Sequence, residues 1–156
     1  MPPRLGPGPE DAKEGSCLNR IIRWCDGRIG YEANPRQAEK LASECGLEGA
    51  KGVATPGVKS SFLELEEDTP LDARLNTAFR GSAARANYLA ADRLDAQFAC
   101  KEVCRWMANP TAQAWKALKR VCRFLNTAPR LVYEFKKQTV SSTDVYTDAD
   151  WAGCPK

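Results

Sequence analysis

Three helical patterns follow one another in the centre of the chain, and they constrain the fold more than any other feature. They cover roughly residues 73–91, 95–108 and 111–126. Pro110 separates the second pattern from the third, because proline disfavours helix in the residue before it, and Thr111 can cap the third. In the third pattern the apolar residues recur at helical spacing on one face. The centre of the chain is therefore predicted to form a three-helix cluster.

A β-hairpin and a capped helix are predicted before this cluster. Residues 18–24 and 29–33 have the composition of strands. Asp26-Gly27 between them is a favoured pair for a two-residue type I′ turn, in which both central residues have positive φ. Asn34 can cap the helix that follows.

A second hairpin is predicted after the cluster, from residues 130–136 and 143–148. The whole chain is thus predicted to be α+β, with an N-terminal β-hairpin plus helix, a three-helix cluster and a C-terminal β-hairpin. The last hairpin is expected to be the least stable part, because an isolated hairpin is marginal in water. Residues 1–16, rich in proline, glycine and charge, are predicted to be a disordered tail, and residues 59–72 an acidic linker.

Composition excludes several classes of site. The chain has no histidine, which removes mixed Cys/His zinc sites and histidine-dependent acid–base mechanisms. Its seven cysteines contain no C-x-x-C spacing and are interpreted as reduced thiols. No apolar stretch is long enough to span a bilayer, and the N-terminus lacks the apolar core of a signal peptide. The protein is therefore expected to be intracellular, in the cytoplasm or the nucleus, with no membrane partner.

Positive charge is concentrated in one region, although the net charge is only +3. Residues 101–137 hold nine Lys or Arg against two Glu. Such a tract suits contacts with phosphates, and a solvated helix face explains it about as well. The cations of the third predicted helix are Lys116, Lys119, Arg120 and Arg123.

The last predicted strand ends in acidic residues. The chain reads T-D-A-D-W-A-G from Thr147 to Gly153. This resembles the first strand of RNase H in copia-type retrotransposon Pol polyproteins, which has the pattern (S/T)-D-x-D-W-A-G. In that family the residue matching Asp148 belongs to an acidic cluster that holds two Mg²⁺ ions. Mg²⁺ takes oxygen ligands, and two ions can stabilise both the attacking water and the leaving oxygen.

Residues 84–135 carry the same resemblance. The family reads Y-L-x-x-x-R-P-D-I-x-x-A-V, then R-(F/Y)-M-x-x-P, then A-x-K-R-(I/V)-x-R-(Y/F)-L-x-x-T, then L-x-Y. The matching residues of this chain are Tyr88, Leu89, Arg93, Asp95, Ala99, Arg105, Trp106, Met107, Pro110, Lys119, Arg120, Val121, Arg123, Phe124, Leu125, Thr127, Leu131 and Tyr133. Leu94 and Ala96 depart from the family's Pro and Ile. Small residues at 81–86 replace bulkier apolar ones, and such changes predict cavities.

The resemblance implies a division of the chain. Residues 17–58 would be the end of reverse transcriptase, with a hairpin and a thumb-like helix. Residues 59–72 would be the linker, 73–128 a helical connection region, and 129–156 the truncated start of an RNase H-like domain. The hairpin residues that would contact nucleic acid, through phosphates and through the indole, are Arg20, Arg23, Trp24 and Arg28. From the residues alone, a surface hairpin that only packs one face is the favoured interpretation, because exposed arginines and a half-buried tryptophan are common in strands.

The parent polyprotein would be an RNA-directed DNA polymerase with RNase H, dependent on Mg²⁺. The isolated chain is expected to be inactive and to need no cofactor, because it lacks a D-D pair and Asp148 alone cannot hold two ions. Its expected partners are an RNA–DNA hybrid or duplex nucleic acid, bound weakly and in a salt-dependent way, and the missing polymerase and RNase H portions. Two alternatives are a non-catalytic basic nucleic-acid-binding module and a helical interaction or scaffold protein.

Overall fold

The computed structural model describes residues 4–58, 68–139 and 142–147, and within them the chain is an α+β protein. The strands are β1 (Glu14–Cys17), β2 (Arg20–Cys25), β3 (Arg28–Glu32) and β4 (Val132–Lys136). The helices are α1 (Pro35–Glu44), α2 (Ala73–Ala90), α3 (Leu94–Cys104) and α4 (Ala112–Thr127). The predicted α+β class and the three central helices are confirmed. No helix in these ranges combines the length and the apolar composition needed to cross a bilayer.

Capping side chains determine where three of the four described helices begin. Asn34, Asp72 and Thr111 each accept a hydrogen bond from a backbone N–H in the first turn of α1, α2 and α4. Each such cap contributes about 1 kcal/mol. Helix α3 has no capping side chain of its own. Instead, the hydroxyl oxygen of Tyr133 accepts the N–H of Leu94 at 2.9 Å, so a residue of β4 satisfies the start of α3.

The four helices enclose the apolar core. Leu41 of α1, Phe79 of α2, Val103 of α3 and Leu118 of α4 are all buried. The Phe79 ring lies 6.3 Å from the ring of Trp115, centroid to centroid. Helical spacing of apolar residues on each helix therefore produces one shared core.

The small residues of α2 have two different environments. Ala83 and Ala86 are fully buried, and their size lets neighbouring helices approach closely. Gly81 instead faces open space, since a Cβ added there would meet nothing within 4 Å. A cleft of about 290 Å³ lies beside it, lined in part by Glu44, Ser82 and Arg85. This cleft is open to the surface, so the cavities expected from the small residues at 81–86 stay a prediction.

The sheet is antiparallel, with strand order β1-β2-β3-β4. Strand β4 pairs with β3, from Glu32 opposite Val132 to Arg28 opposite Lys136. The predicted C-terminal hairpin is wrong, because residues 142–147 form no strand. A strand that joins an existing three-stranded sheet gains cross-strand contacts on a supported edge, whereas a separate two-stranded hairpin is marginal.

The N-terminal segment also differs from its prediction. Residues 14–16 are predicted to belong to a disordered tail, yet together with Cys17 they form β1 and pair with β2. The preceding loop is closed by Lys13, whose Nζ donates to the carbonyls of Gly6 and Gly8 at 3.0 and 2.8 Å. These bonds satisfy polar groups that composition alone had indicated would be solvated.

The type I′ turn also lies in a different hairpin from the predicted one: it joins β1 to β2, whereas it was predicted between β2 and β3. Among the described non-glycine residues, only Leu18 and Asn19 have positive φ, at 50° and 64°. They therefore form the type I′ turn, between β1 and β2. In the predicted turn between β2 and β3, Gly27 has a φ of 67° but Asp26 is not in the positive region, so that turn is not type I′.

Candidate nucleic-acid interface

The predicted cations of α4 lie on the side of the helix opposite the core. Leu118, Val121 and Leu125 are buried, so the positions between them point outward. Among the cations, Lys116 and Arg123 are exposed, and Lys119 and Arg120 are half-buried. The structure thus places the four predicted cations of this helix on one outward surface, named here the α4 cationic face.

The segment that follows α1 packs along this face. The Cβ of a residue placed at Gly52 would come within 1.9 Å of the Thr127 hydroxyl oxygen, so only glycine allows this approach. The guanidinium of Arg120 donates to the Thr55 hydroxyl at 2.8 Å. Its Nε is buried and has no hydrogen-bond partner among the described residues. The segment that follows α1 therefore holds Arg120 in a fixed position.

Among the residues that the structure describes, no carboxylate pairs with the other cations of the α4 cationic face. Lys119 lies over the Trp115 ring, with Nζ 5.5 Å from the centroid, a cation–π contact that leaves the charge unneutralised. Lys116 and Arg123 form no ion pair with any residue in the three described ranges. An anion can approach both of them without displacing any carboxylate of the described residues.

The hairpin arginines are in the opposite situation. Arg20 donates from Nε to both carboxylate oxygens of Asp92, at 2.8 and 2.9 Å. The hydrogen bond to Asp92 raises the pKa of Arg20 above its ordinary value. At the far end of β3, Arg28 pairs with Glu134 at 3.0 Å. A phosphate would have to compete with these carboxylates.

Arg23 belongs to a cluster around the buried Glu32. It donates to Glu14 at 2.7 Å and to Glu32 at 2.5 Å. Arg130 donates to both oxygens of Glu32, at 2.5 and 2.8 Å. Hydrogen bonds from Arg130 and then from Arg23 hold the pKa of the Glu32 carboxyl at about 2, below its usual 4.5. This cluster is named the Glu32 cluster.

Trp24 lies on the other face of the sheet from the Glu32 cluster. It is half-buried, and its cross-strand partner is Ile29, which in turn pairs with Phe135. Phe135 is 61% exposed. The three side chains form an apolar row, so the predicted contact of the indole with a sugar or base stays a prediction.

The metal prediction cannot be located on the structure. Asp148 lies outside the described residues. Within residues 4–58, 68–139 and 142–147, no group of three or more His, Cys, Asp or Glu is arranged to hold a metal ion. The assignment of Asp148 as a metal ligand therefore stays a prediction.

The tertiary contacts of two residues, Asp92 and Arg93, were not predicted from the sequence. Asp92 binds Arg20 and accepts a hydrogen bond from the Tyr31 hydroxyl, which joins the sheet to the α2–α3 turn. No local signal marks this contact, because Arg20 and Asp92 are 72 positions apart in the chain. The other is Arg93, only 1% exposed, which matches the family motif but for which no contact was predicted.

Arg93 links three parts of the helical cluster. It donates to both carboxylate oxygens of Asp95, at 2.9 and 2.7 Å, and to the carbonyl of Ala128 at 2.7 Å. A cation at the carbonyl end of a helix is favourable, so Arg93 stabilises the end of α4. Leu94, which replaces the proline of the resembling motif, occupies the first helical position of α3. Its N–H donates to the Tyr133 hydroxyl, a bond that proline could not make.

Comparison with curated proteins gives relatives for most of the chain. It is 40% identical, over 104 residues, to the retrovirus-related Pol polyprotein from transposon RE2 of Arabidopsis thaliana. It is 38% identical, also over 104 residues, to the corresponding polyprotein from transposon RE1 of the same plant. Each match covers 67% of this chain and about 7% of the polyprotein.

An uncharacterised mitochondrial protein of Arabidopsis thaliana is 28% identical over 127 residues, which cover 80% of this chain and half of that protein. No family model matches the chain. No solved structure matches it either. The matched part of the chain is homologous to retrotransposon Pol polyproteins, which confirms the predicted kinship at that level.

Proposed function

We propose that this chain, a relative of retrotransposon Pol polyproteins, is the segment between reverse transcriptase and RNase H, and that it holds nucleic acid without performing chemistry. The observation that carries the proposal is the 40% identity to a Pol polyprotein over two thirds of the chain. Because the chain spans only about 7% of that relative, DNA synthesis and hybrid cleavage are proposed for the whole polyprotein.

The isolated polypeptide is proposed to be inactive. Its sequence contains no D-D pair of the kind used for polymerisation in the resembling family. Two-metal cleavage needs several carboxylates, and Asp148 with its neighbour Asp150 cannot hold two Mg²⁺ ions against water. In the parent enzyme Asp148 would be one ligand among several.

The α4 cationic face is the proposed contact with the nucleic-acid backbone. A cation without a carboxylate partner can displace counterions from phosphates, and this release makes affinity fall as salt rises. Lys116 and Arg123 are exposed, and neither has a carboxylate partner among the described residues. By contrast, Arg20 and Arg28 are each already paired with an acid.

A salt titration tests this contact. The affinity of the full chain for an RNA–DNA hybrid would be measured by fluorescence anisotropy at several salt concentrations. The slope of log K against log salt is negative, and its magnitude should fall by about 2–4 when the face is neutralised. The variant carries Lys116→Gln, Lys119→Gln, Arg120→Gln and Arg123→Gln together. The matched control is Arg28→Gln, which should change the slope by less than about 1 because Arg28 is paired with Glu134.

Circular dichroism of each variant separates loss of binding from loss of folding. An unchanged salt slope in the folded quadruple variant would eliminate the α4 cationic face as the contact. An equal loss in Arg28→Gln would move the contact to the hairpin instead.

A scaffold role is the second candidate. Phe98 of α3 is 72% exposed and Phe135 of β4 is 61% exposed, and large exposed apolar side chains favour protein contacts. This role predicts concentration-dependent self-association in sedimentation and binding to duplexes that does not depend on the α4 cationic face.

A further inference from the structure

Strand β4 forms one edge of the sheet. It pairs with β3 on one side, and no strand of the described residues pairs with its other side. Residues 143–148 are its predicted partner, but the described residues 142–147 form no strand and are all exposed. An edge strand with unpaired backbone groups is a template for pairing with another chain.

The hydrogen bonding of β4 shows which of its backbone groups face outward. The N–H of Lys137 donates to the carbonyl of Gly27 at 2.8 Å, where the pairing with β3 ends. Because the direction of these groups alternates along an antiparallel strand, Phe135 and Lys137 both turn theirs towards β3. Glu134 and Lys136 therefore turn their backbone N–H and carbonyl groups towards the free edge.

The side chains of β4 are self-complementary about Phe135. Glu134 and Lys136 lie on the same face of the sheet, one on each side of Phe135 in the sequence. When two copies of β4 run antiparallel with Phe135 opposite Phe135, each Glu134 is opposite Lys136 of the second copy. Opposite charges on directly opposed residues stabilise strand pairing. A register centred on Glu134 would instead oppose two carboxylates, which is unfavourable.

The backbone permits the register centred on Phe135. Glu134 and Lys136 of opposite copies both turn their backbone groups to the shared edge, so they can exchange hydrogen bonds. Phe135 is then in a non-hydrogen-bonded pair, where the Cα atoms are about 4.5 Å apart and side chains lie closest. It is 61% exposed in the single chain, so it has apolar surface to bury. The apolar row of Trp24, Ile29 and Phe135 would continue into the same row of the second copy.

The other edge of the sheet lacks these features. Strand β1 has four residues, Glu14–Cys17, and all are exposed. It contains no cation and no large apolar side chain. Its Glu14 already binds Arg23 of β2. The β4 edge is therefore the better surface for a second copy.

We propose that β4 pairs antiparallel with β4 of a second copy of this chain, with Phe135 opposite Phe135, and so joins two four-stranded sheets into one. The shared edge is short, so the contact should be weaker than that of stable complexes, which bury about 1,600 Å². Dimerisation should therefore increase with protein concentration. It does not require nucleic acid, and the α4 cationic face is not part of the shared edge, so the salt titration above tests a separate claim.

Exchange of charge across the edge tests the proposal. Dimerisation of the full chain would be measured by sedimentation velocity over a range of concentrations. Glu134→Lys opposes lysines at both ends of the contact, and Lys136→Glu opposes carboxylates there. Each variant alone should dimerise at least about tenfold more weakly than the parent. In an equimolar mixture the two variants should pair with each other about as strongly as the parent does, because every exchanged charge then faces an opposite one.

The matched control is Glu39→Lys, which alters the net charge as Glu134→Lys does but lies on an exposed position of α1. It should leave dimerisation unchanged. Circular dichroism would establish that each variant is folded. A parent that stays monomeric at every concentration, or a mixture that dimerises no better than its two components, would overturn the proposal.

A disulfide trap measures the register directly. In the background used, three cysteines are changed to serine: Cys17, Cys25 and Cys154. Phe135→Cys then places one thiol opposite its counterpart at a Cα separation of about 4.5 Å, which suits a disulfide between the copies. Val132→Cys is the control on the same strand, because in this register Val132 faces Gln138 of the second copy.

Mild oxidation should link the Phe135→Cys protein into a covalent dimer and leave the Val132→Cys protein monomeric on a non-reducing gel. Equal linkage of the two proteins would contradict the pairing. Faster linkage of Glu134→Cys than of Phe135→Cys would contradict the register centred on Phe135.

Discussion

The helical cluster and the sheet of this protein are stabilised by different forces. The helices share an apolar core that includes Leu41, Phe79 and Leu118. Within the four described strands the buried positions are Gly30 and Glu32 alone, and neither of them is a large apolar residue. The sheet is instead stabilised by polar contacts. The Glu32 cluster joins residues on one face of the sheet, and Asp92 links the sheet to the helices through Arg20 and the Tyr31 hydroxyl.

This difference predicts different responses to solution conditions. Apolar burial is insensitive to pH and is strengthened by salts that are excluded from the protein surface. Ion pairs depend on the protonation of their carboxylates, and the partly exposed ones also weaken as salt rises. The sheet should therefore be the part of the molecule that responds first to acid.

The largest expected effect comes from the helical core. Phe79→Ala removes a fully buried ring and should lower the free energy of unfolding by about 3–5 kcal/mol. Urea unfolding followed by far-UV circular dichroism would measure it. Phe135→Ala is the matched control, since the same ring is removed from an exposed site, and it should cost less than about 1 kcal/mol. Similar losses for the two variants would show that the apolar core is not confined to the helices.

Acid should act through Glu32 with a smaller effect. Its pKa is about 2 in the folded protein, against a usual 4.5. Because the folded-state pKa is depressed, Glu32 stabilises the protein fully above its unfolded pKa, and this contribution is lost as the pH falls from about 5 to about 2. The loss should be at most about 3 kcal/mol.

Glu32→Gln isolates that contribution. At neutral pH the variant should be less stable than the parent, because Arg23 and Arg130 lose their shared carboxylate. The difference in unfolding midpoint should shrink towards zero as the pH approaches 2, where the parent is protonated as well. Parallel stability profiles for the two proteins from pH 7 to pH 2 would remove Glu32 as the source of the acid response.

The smallest expected effect is at the contact between the sheet and the helices. Asp92→Asn weakens the bonds from Arg20 and Tyr31, and should cost about 1–2 kcal/mol. Hydrogen exchange should then quicken at the amides of β2, β3 and β4 while those of α4 keep their protection. Equal acceleration in α4 would mean that the two regions open together.

Local sequence signals were sufficient to predict the beginnings of α1 and α4. Thr111 caps α4 as predicted, and Asn34 caps α1 as predicted, since a cap depends only on residues a few positions away. The end of α3 was placed four residues too late, at 108 instead of Cys104. Arg80 of α2 binds the carbonyls of Met107 and Ala108 in a turn there, and that partner is remote in sequence.

Strand pairing could not be predicted in the same way. Strand β4 had a correct local pattern, but its neighbour is β3, which is about 100 residues earlier in the chain. The predicted partner, residues 143–148, was closer in sequence and had an equally good pattern. Alternation fixes which side chains share a face, but it does not identify which edge is available.

The candidate interface was predicted in part. Helical spacing was enough to place Lys116 and Arg123 on an outward surface of α4. It could not show that Arg20 and Arg28 would be occupied by Asp92 and Glu134, because these acids come from distant parts of the chain. Composition gives the number of cations, but whether a cation is available to a phosphate depends on the carboxylates that contact it in the folded protein.

The pairing of β3 with β4 has a topological consequence. Because Glu32 and Val132 are direct partners, the two ends of the segment between them lie one strand spacing apart, about 4.8 Å. The whole helical cluster is therefore an insertion into an otherwise simple up-and-down sheet. The entropy lost in closing so long a loop is reduced once the helices have packed, because a compact insert already brings its two ends together. In this chain, folding of the helices between β3 and β4 therefore brings β4 to the edge of the sheet.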